Sequence, residues 1–205
     1  MSDADAVAAD RSRWNERYAA RRPSFTPHPL VADALAAELP GGPVLELAGG
    51  RSGSALALAG QGRAVTVVDV SDLALAQLRD EAARRGLGSR IDRVCADATA
   101  TLTGEAHTGR WALVLATRFW DEAAFTAAAA AVAPGGLLGW EALRQDEPLH
   151  DQARQAQPPG QGGAGSPHPY RVRHGGLSAR LPAGFTVLAE QATDTTTRLL
   201  ARAPL

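Results

Sequence analysis

Residues 43–53, Pro43-Val44-Leu45-Glu46-Leu47-Ala48-Gly49-Gly50-Arg51-Ser52-Gly53, followed at 64–70 by Ala64-Val65-Thr66-Val67-Val68-Asp69-Val70, decide the fold. The short apolar run 43–48 reads as a buried strand, 49–53 as a glycine-rich turn, and Ser54 as the start of a helix. Residues 64–70 form a continuous β-branched run, the pattern of a central parallel strand covered on both faces. Outward from this unit the alternation repeats. Ser71 caps a helix that reaches about Arg85 and stops at Gly86, strands follow at 91–96 and 111–116, an alanine-dense helix spans 121–132, and a strand spans 136–142. Such alternation implies a doubly wound, mostly parallel sheet with helices on both faces. Residues 185–191 and 195–203 are β-rich and closely spaced, so the sheet is expected to end in an antiparallel hairpin.

On the amino-terminal side, residues 10–20 place Trp14 and Tyr18 on one face of a helix that Asp10 or Ser12 caps, and Leu30, Ala34, Leu35 and Leu39 form the stripe of a second helix. Residues 144–168 are rich in Gln, Gly, Pro and Ala and read as a mobile loop. The whole, 1–205, is read as one domain with a helical cap at 1–40, a core at 43–143 and a carboxy-terminal portion at 169–205.

Composition removes several chemistries. The chain has 205 residues and a net charge of -1, and all 21 basic residues are arginine. Without a lysine amine, Schiff-base aldolases, pyridoxal-phosphate enzymes and P-loop kinases are excluded. With Cys95 as the single cysteine there is no intramolecular disulfide and no multi-cysteine zinc or iron-sulfur site, and its place between Val94 and Ala96 predicts buried packing. Acids and arginines are interspersed, without the basic stripe of a nucleic-acid binder. No long apolar run occurs, and three aspartates stand in the first ten residues, so neither a membrane span nor a signal peptide is read and a cytoplasmic chain is expected. The alanine and arginine bias suits a bacterial genome of high GC content.

The turn carries the chemistry. Glycines between strand and helix let the backbone approach a ligand, and Asp69, nineteen residues after Gly50, stands where an acid accepts ribose hydroxyls. Both a dinucleotide and S-adenosylmethionine fit that geometry. Glu46 separates them, because a carboxylate beside the turn repels a pyrophosphate and attracts a sulfonium or an ammonium.

At these residues the sequence resembles the class I S-adenosylmethionine-dependent methyltransferases. Glu46 to Ser52 match the acidic, glycine-rich first motif, Asp69 the ribose acid, Ala96-Asp97-Ala98 the adenine contact, and Ala133-Pro134-Gly135-Gly136 the turn into the fifth strand. Trp14-Asn15-Glu16-Arg17-Tyr18 and the short body are most similar to the small tellurite-resistance and thiopurine-methyltransferase-like branch, whose amino-terminal helix folds over the cofactor. The resemblance implies a Rossmann-like sheet of seven strands in the order 3-2-1-4-5-7-6 with the last strand antiparallel. It further implies S-adenosyl-L-methionine as cofactor, bound by Tyr18, Glu46, Ala48, Gly49, Gly50, Asp69, Val70, Asp97, Ala98 and Ala116, and an acceptor near Trp14, Arg118 and Phe119. Ala48 and Ser52 replace glycines of the motif and Arg51 brings a cation, so a positive φ at Ala48 or Ser52 carries a cost of about 1 kcal/mol.

The expected reaction is in-line methyl transfer to a small-molecule acceptor in a monomer or homodimer. None of the five histidines has metal-ligand spacing, and no metal is assigned. His150, His174 and Tyr170 are the candidates for a general base, should the acceptor need one. Bland alternatives stand beside each site residue: a carboxylate held by turn amides for Glu46, a helix cap for Asp69, an Asx turn for Asp97, core packing for Trp14 and Tyr18, and a surface ion pair for Arg118. Two other functions remain open, a nicotinamide-dependent oxidoreductase and a non-catalytic cofactor-binding module with this fold.

Overall fold

Strand β1 (Val44–Leu47) is buried along its whole length and lies at the centre of the sheet. In the computed structural model, which describes residues 3–102, 107–145 and 170–205, it pairs in parallel with β2 (Val65–Asp69) and β4 (Trp111–Ala116). Strand β3 (Ile91–Cys95) extends the sheet beyond β2, and β5 (Val132–Arg144) beyond β4. A two-residue β6 (Arg171–Val172) joins the end of β5, and the hairpin β7 (Thr186–Ala192) and β8 (Thr196–Arg202) closes the sheet through an antiparallel β5–β8 ladder. The order is β3-β2-β1-β4-β5-β8-β7. This is the expected 3-2-1-4-5-7-6 arrangement with the short β6 added, a strand too brief for any periodicity to reveal.

Period-2 alternation sorts the strand residues onto two faces. Leu45, Leu47, Val114, Leu138 and Trp140 pack with Phe125 of α6 (Glu122–Ala131). On the other face Val44, Val67, Leu113, Leu115 and Leu137 pack against α2 (Pro29–Ala36) and α3 (Gly53–Gly60). Helix α4 (Asp72–Arg84) is capped by Ser71, whose Oγ accepts from the Ala74 amide at 3.1 Å. A short α5 (Ala98–Thr101) follows β3.

Three boundaries differ from the sequence reading. Helix α1 spans Asp3–Ala19, so Asp10 and Ser12 are internal rather than caps; the alanine-rich segment ahead of them has the propensity to continue the helix. Helix α2 stops at Ala36, before Leu39. Glu38 takes left-handed backbone at φ +54°, so the amides of Ala37, Glu38 and Leu39 turn back onto the carbonyls of Asp33, Leu35 and Ala34, and arginines hold the segment beyond, Arg202 donating to Ala37 and Arg63 to Leu39 at 2.9 Å and to Pro40. Strand β5 begins at Val132 rather than 136, because the Pro134-Gly135 stretch is accommodated as an irregularity opposite 111–113. Cys95 is exposed, not buried, since β3 is an edge strand. The loop expected at 144–168 lies, beyond Gln145, outside the described residues. No helix among the described residues is long and apolar enough to cross a membrane.

Candidate active site

The turn after β1 is built on backbone that glycine adopts freely. Gly50 has φ +52°, and a Cβ there would collide with the Tyr18 hydroxyl. Ala48 also has a positive φ, +49°, so the strain foreseen for this position is present. Ser52 escapes it with φ -71°, because it serves as the N-cap of α3 and accepts from the Ala55 amide at 2.7 Å. The Ser52 hydroxyl donates to Glu46 Oε2. Glu46 is 2% exposed, and burial, with Asp69 nearby, pushes its pKa up to about 7 against the Ser52 hydrogen bond. The residue is thus a buried carboxylate that gains most from an incoming cation.

Asp69 closes the unit from β2. Its two oxygens accept from the Gly50 amide at 2.8 Å and the Ser71 amide at 2.7 Å, and burial outweighs these bonds to raise its pKa. Helix α1 crosses above. Arg11 donates to the Val70 carbonyl at 3.1 Å, and Asn15 bridges the Ser71 hydroxyl at 2.7 Å and the Asp72 carboxylate at 2.8 Å. Tyr18 rests against Gly50, and burial with Asp69 beside it raises its phenol to about pKa 12. Arg51 stacks on Tyr18 at 4.7 Å and donates to the Tyr18 and Arg21 carbonyls. The cation that departs from the family motif therefore holds the end of α1, where carbonyls without helical partners favour it.

A cavity of about 640 Å³ opens beside the turn, reached by Glu46, Gly49, Arg51 and Ser52 on one side and by Thr117, Arg118, Glu141, Thr196 and Arg198 on the other. Glu141 is its second buried carboxylate. In β5, Leu137 and Gly139 share its face and pack downward, so the apolar stripe turns charged at the carboxy-terminal edge of the sheet. Glu141 Oε2 meets His28 Nε2 at 3.1 Å and accepts from Thr196 Oγ1 at 3.1 Å, with Arg198, its cross-strand partner, at 3.7 Å. His28 Nδ1 accepts from the Leu30 amide at 3.3 Å, capping α2, which leaves the ring proton on Nε2 facing Glu141. Burial raises the Glu141 pKa, but the His28 and Thr196 hydrogen bonds and the Arg198 charge outweigh it and hold the group below its ordinary value.

Among the expected site residues, Tyr18, Glu46, Ala48, Gly49, Gly50, Asp69 and Val70 meet at the β1–β2 edge. Asp97 caps α5, accepting from the Thr99 and Ala100 amides at 2.9 Å each, and Ala98 and Ala116 are buried. Arg118, at φ +53°, reaches the cavity, 4.0 Å from Glu141 Oε1. Phe119 instead packs on Trp140, whose indole donates to its carbonyl at 2.8 Å. Trp14 stacks with Tyr18 and Arg17 on α1. Tyr170 and His174 are exposed and do not line the cavity, and His150 lies outside the described residues. The sequence by itself does not single out His28, Glu141, Thr196 and Arg198 as site residues. The available signal was an acid inside the apolar run Gly136-Leu137-Leu138-Gly139-Trp140-Glu141-Ala142-Leu143, which requires a partner.

Residues 44–136 match the family model of a methyltransferase domain. No curated protein matches the chain. Among solved structures, a protein from the conversion of a disulfide bond into a thioacetal group during echinomycin biosynthesis is 26% identical, with TM-score 0.65, over 90% of this chain and 85% of that one. TehB from Haemophilus influenzae shares 17% identity and TM-score 0.66 over 94% of this chain and 66% of its own. The glycopeptide N-methyltransferase MtfA, solved with sinefungin, shares 16% identity and TM-score 0.57 over 85% and 93%. From β1 into β5 the chain is similar to a methyltransferase domain, and its sheet has the strand order of the Rossmann-like methyltransferase fold.

Proposed function

We propose that the protein transfers a methyl group from S-adenosylmethionine to a small-molecule acceptor. The observation that carries the reading is Glu46, a carboxylate buried beside a glycine turn at the edge of the cavity, where a cation and not a pyrophosphate is favoured. The donor set suits the cofactor. Glu46 would face its cationic methionine end, Asp69 its ribose, and the Gly49-Gly50 backbone would let it approach closely. Bound there, S-adenosylmethionine supplies an activated methyl group on a sulfonium that leaves as a neutral thioether. The residues of this chain hold the reactants and exclude water, with α1, tied down by Arg11, Asn15 and Arg51, covering the ribose side. The tellurite-resistance and thiopurine-methyltransferase-like branch is the resemblance that suggests a small acceptor.

A second reading, a non-catalytic module of this fold that has lost the cofactor, is favoured by the tight seating of Tyr18 on Gly50 and by both Asp69 oxygens being engaged by amides. Calorimetric titration with S-adenosylmethionine, S-adenosylhomocysteine and NADH separates the possibilities. Binding of the first two with turnover of some acceptor supports methyl transfer. Binding of neither sulfur compound sinks it, and binding of NADH alone restores the oxidoreductase.

A further inference from the structure

The cavity walls distinguish the acceptor side from the cofactor side. Three guanidinium groups, of Arg51, Arg118 and Arg198, face two carboxylates, Glu46 and Glu141, so the lining carries excess positive charge. Arg51 is committed to the end of α1. The other two converge on Glu141, yet neither comes within hydrogen-bond distance of it: Arg198 Nε lies 3.7 Å and Arg118 Nε 4.0 Å from its oxygens. Arg198 Nε is also a buried donor with no hydrogen-bond partner among the described residues. Arg118 is held over the cavity by left-handed backbone, a strained conformation that a bulky residue adopts only when its surroundings impose it. Glu141 Oε2 is engaged by His28 and Thr196, whereas Oε1 accepts no hydrogen bond among the described residues. The described lining is hydroxyl-bearing, charged, glycine or proline apart from the His28 imidazole, with no Phe, Tyr or Trp side chain to receive a flat apolar acceptor.

Resting on the methyl-transfer reading, we propose that this cavity binds an acceptor bearing both an amine and a carboxylate, an amino acid or a close analogue. Its carboxylate lies against Arg118 and Arg198, and its amine is directed by Glu141 Oε1. The acceptor's ammonium first gives up one proton to solvent, so no protein base is required. The lone pair of the resulting neutral amine forms the new N–C bond as the S–C bond breaks, the S–C electron pair remaining on sulfur. The nitrogen becomes a methylated ammonium that Glu141 stabilises and that leaves as the product. A carboxylate kept ionised by its neighbours suits that role better than the role of proton acceptor. His28 is a positioning residue, fixing the carboxylate through Nε2 while anchored at the start of α2.

The test has two measurements. Affinity for S-adenosylhomocysteine is measured by calorimetry. The standard amino acids and sarcosine are then titrated into the protein, with and without S-adenosylhomocysteine, and assayed for methyl transfer, with ethanolamine, propionate, catechol and thiophenol as comparison probes. At least one amino-carboxylate is expected to bind about tenfold or more tightly than ethanolamine or propionate and to be methylated. Glu141→Gln and Arg198→Gln should each weaken it about tenfold while S-adenosylhomocysteine affinity stays within about twofold. Arg118→Asn, which keeps the left-handed backbone, should do the same and guards against misfolding of the buried variants. The proposal is overturned if no amino-carboxylate binds, if catechol or thiophenol is methylated in preference, or if the variants leave amino-carboxylate binding unchanged. Amino-carboxylate binding without S-adenosylhomocysteine binding would retain this site and reject the cofactor assignment.

Discussion

Glu46 concentrates the consequences at the scale of single residues. Its folded pKa, about 7, lies above the ordinary 4.5, so the folded chain holds this proton more tightly than the unfolded chain does. That contribution to stability is complete below about pH 4.5 and is lost as pH rises through about 7, at about 1.4 kcal/mol for each pH unit between the two values. Glu46→Gln should therefore match the wild type in thermal melts near pH 5 and exceed it by about 1–3 kcal/mol near pH 8.5. The same variant should bind S-adenosylmethionine weakly, and wild-type affinity should rise between about pH 6 and pH 8 as the carboxylate ionises. Titrations in buffers of different ionisation enthalpy should detect the released proton, and a pH-independent affinity would remove Glu46 from the cation site. Asp69→Ala has a double effect. It strands the buried Gly50 and Ser71 amides, costing about 1–3 kcal/mol in denaturant unfolding, and it removes the charge-assisted bonds proposed for the ribose, each worth about 1.5–3 kcal/mol. An unchanged dissociation constant in the folded variant would refute the ribose role.

Helix α1 is the element on which the site most depends. Apart from Tyr18, which packs on Gly50, its described attachments are polar: Arg11 to Val70, Asn15 to Ser71 and Asp72, and Arg51 back to its last turn. Such contacts hold an element less firmly than a buried apolar stripe does. Hydrogen exchange should show α1 amides opening well before those of β1 and β4, and Asn15→Ala should speed that exchange with little change in melting temperature. S-adenosylhomocysteine should slow exchange in α1 if the helix covers it, whereas an α1 as protected as β1 in the free protein would contradict the polar-latch account. The register of β5 and β8 works oppositely, pairing Glu141 with Arg198 inside a continuous ladder so that the acceptor-side charges sit on rigid strands.

For the molecule as a whole, Trp140 at the β5–α6 junction is the largest fully buried side chain and packs edge-on to Phe125 at 5.1 Å. Trp140→Ala should cost about 3–5 kcal/mol and lower the melting temperature by about 10 °C in one cooperative transition. A separate early transition in differential scanning calorimetry would show that the two faces of the sheet unfold independently. The alternation of strand and helix, the strand order and the meeting of Glu46, the glycine turn and Asp69 were all legible in the sequence. The alternation follows from local hydrophobic period, the strand order from the family resemblance, and the meeting of the site residues from one strand–helix–strand unit. Helix ends were less legible: α2 stops where Glu38, with no glycine to signal it, adopts left-handed backbone, and arginines distant in sequence, Arg63 and Arg202, hold the carbonyls just beyond. The acceptor side was not legible at all. His28, Glu141 and Arg198 are separated by 113 and 57 positions, and only the parallel crossover to β5 and the antiparallel return of β8 bring them to one edge. Sequence alone determined the fold and pointed to the cofactor, because both rest on contiguous patterns. Tertiary structure decided how the cavity is charged, because that rests on strand register, which no single stretch of the chain encodes.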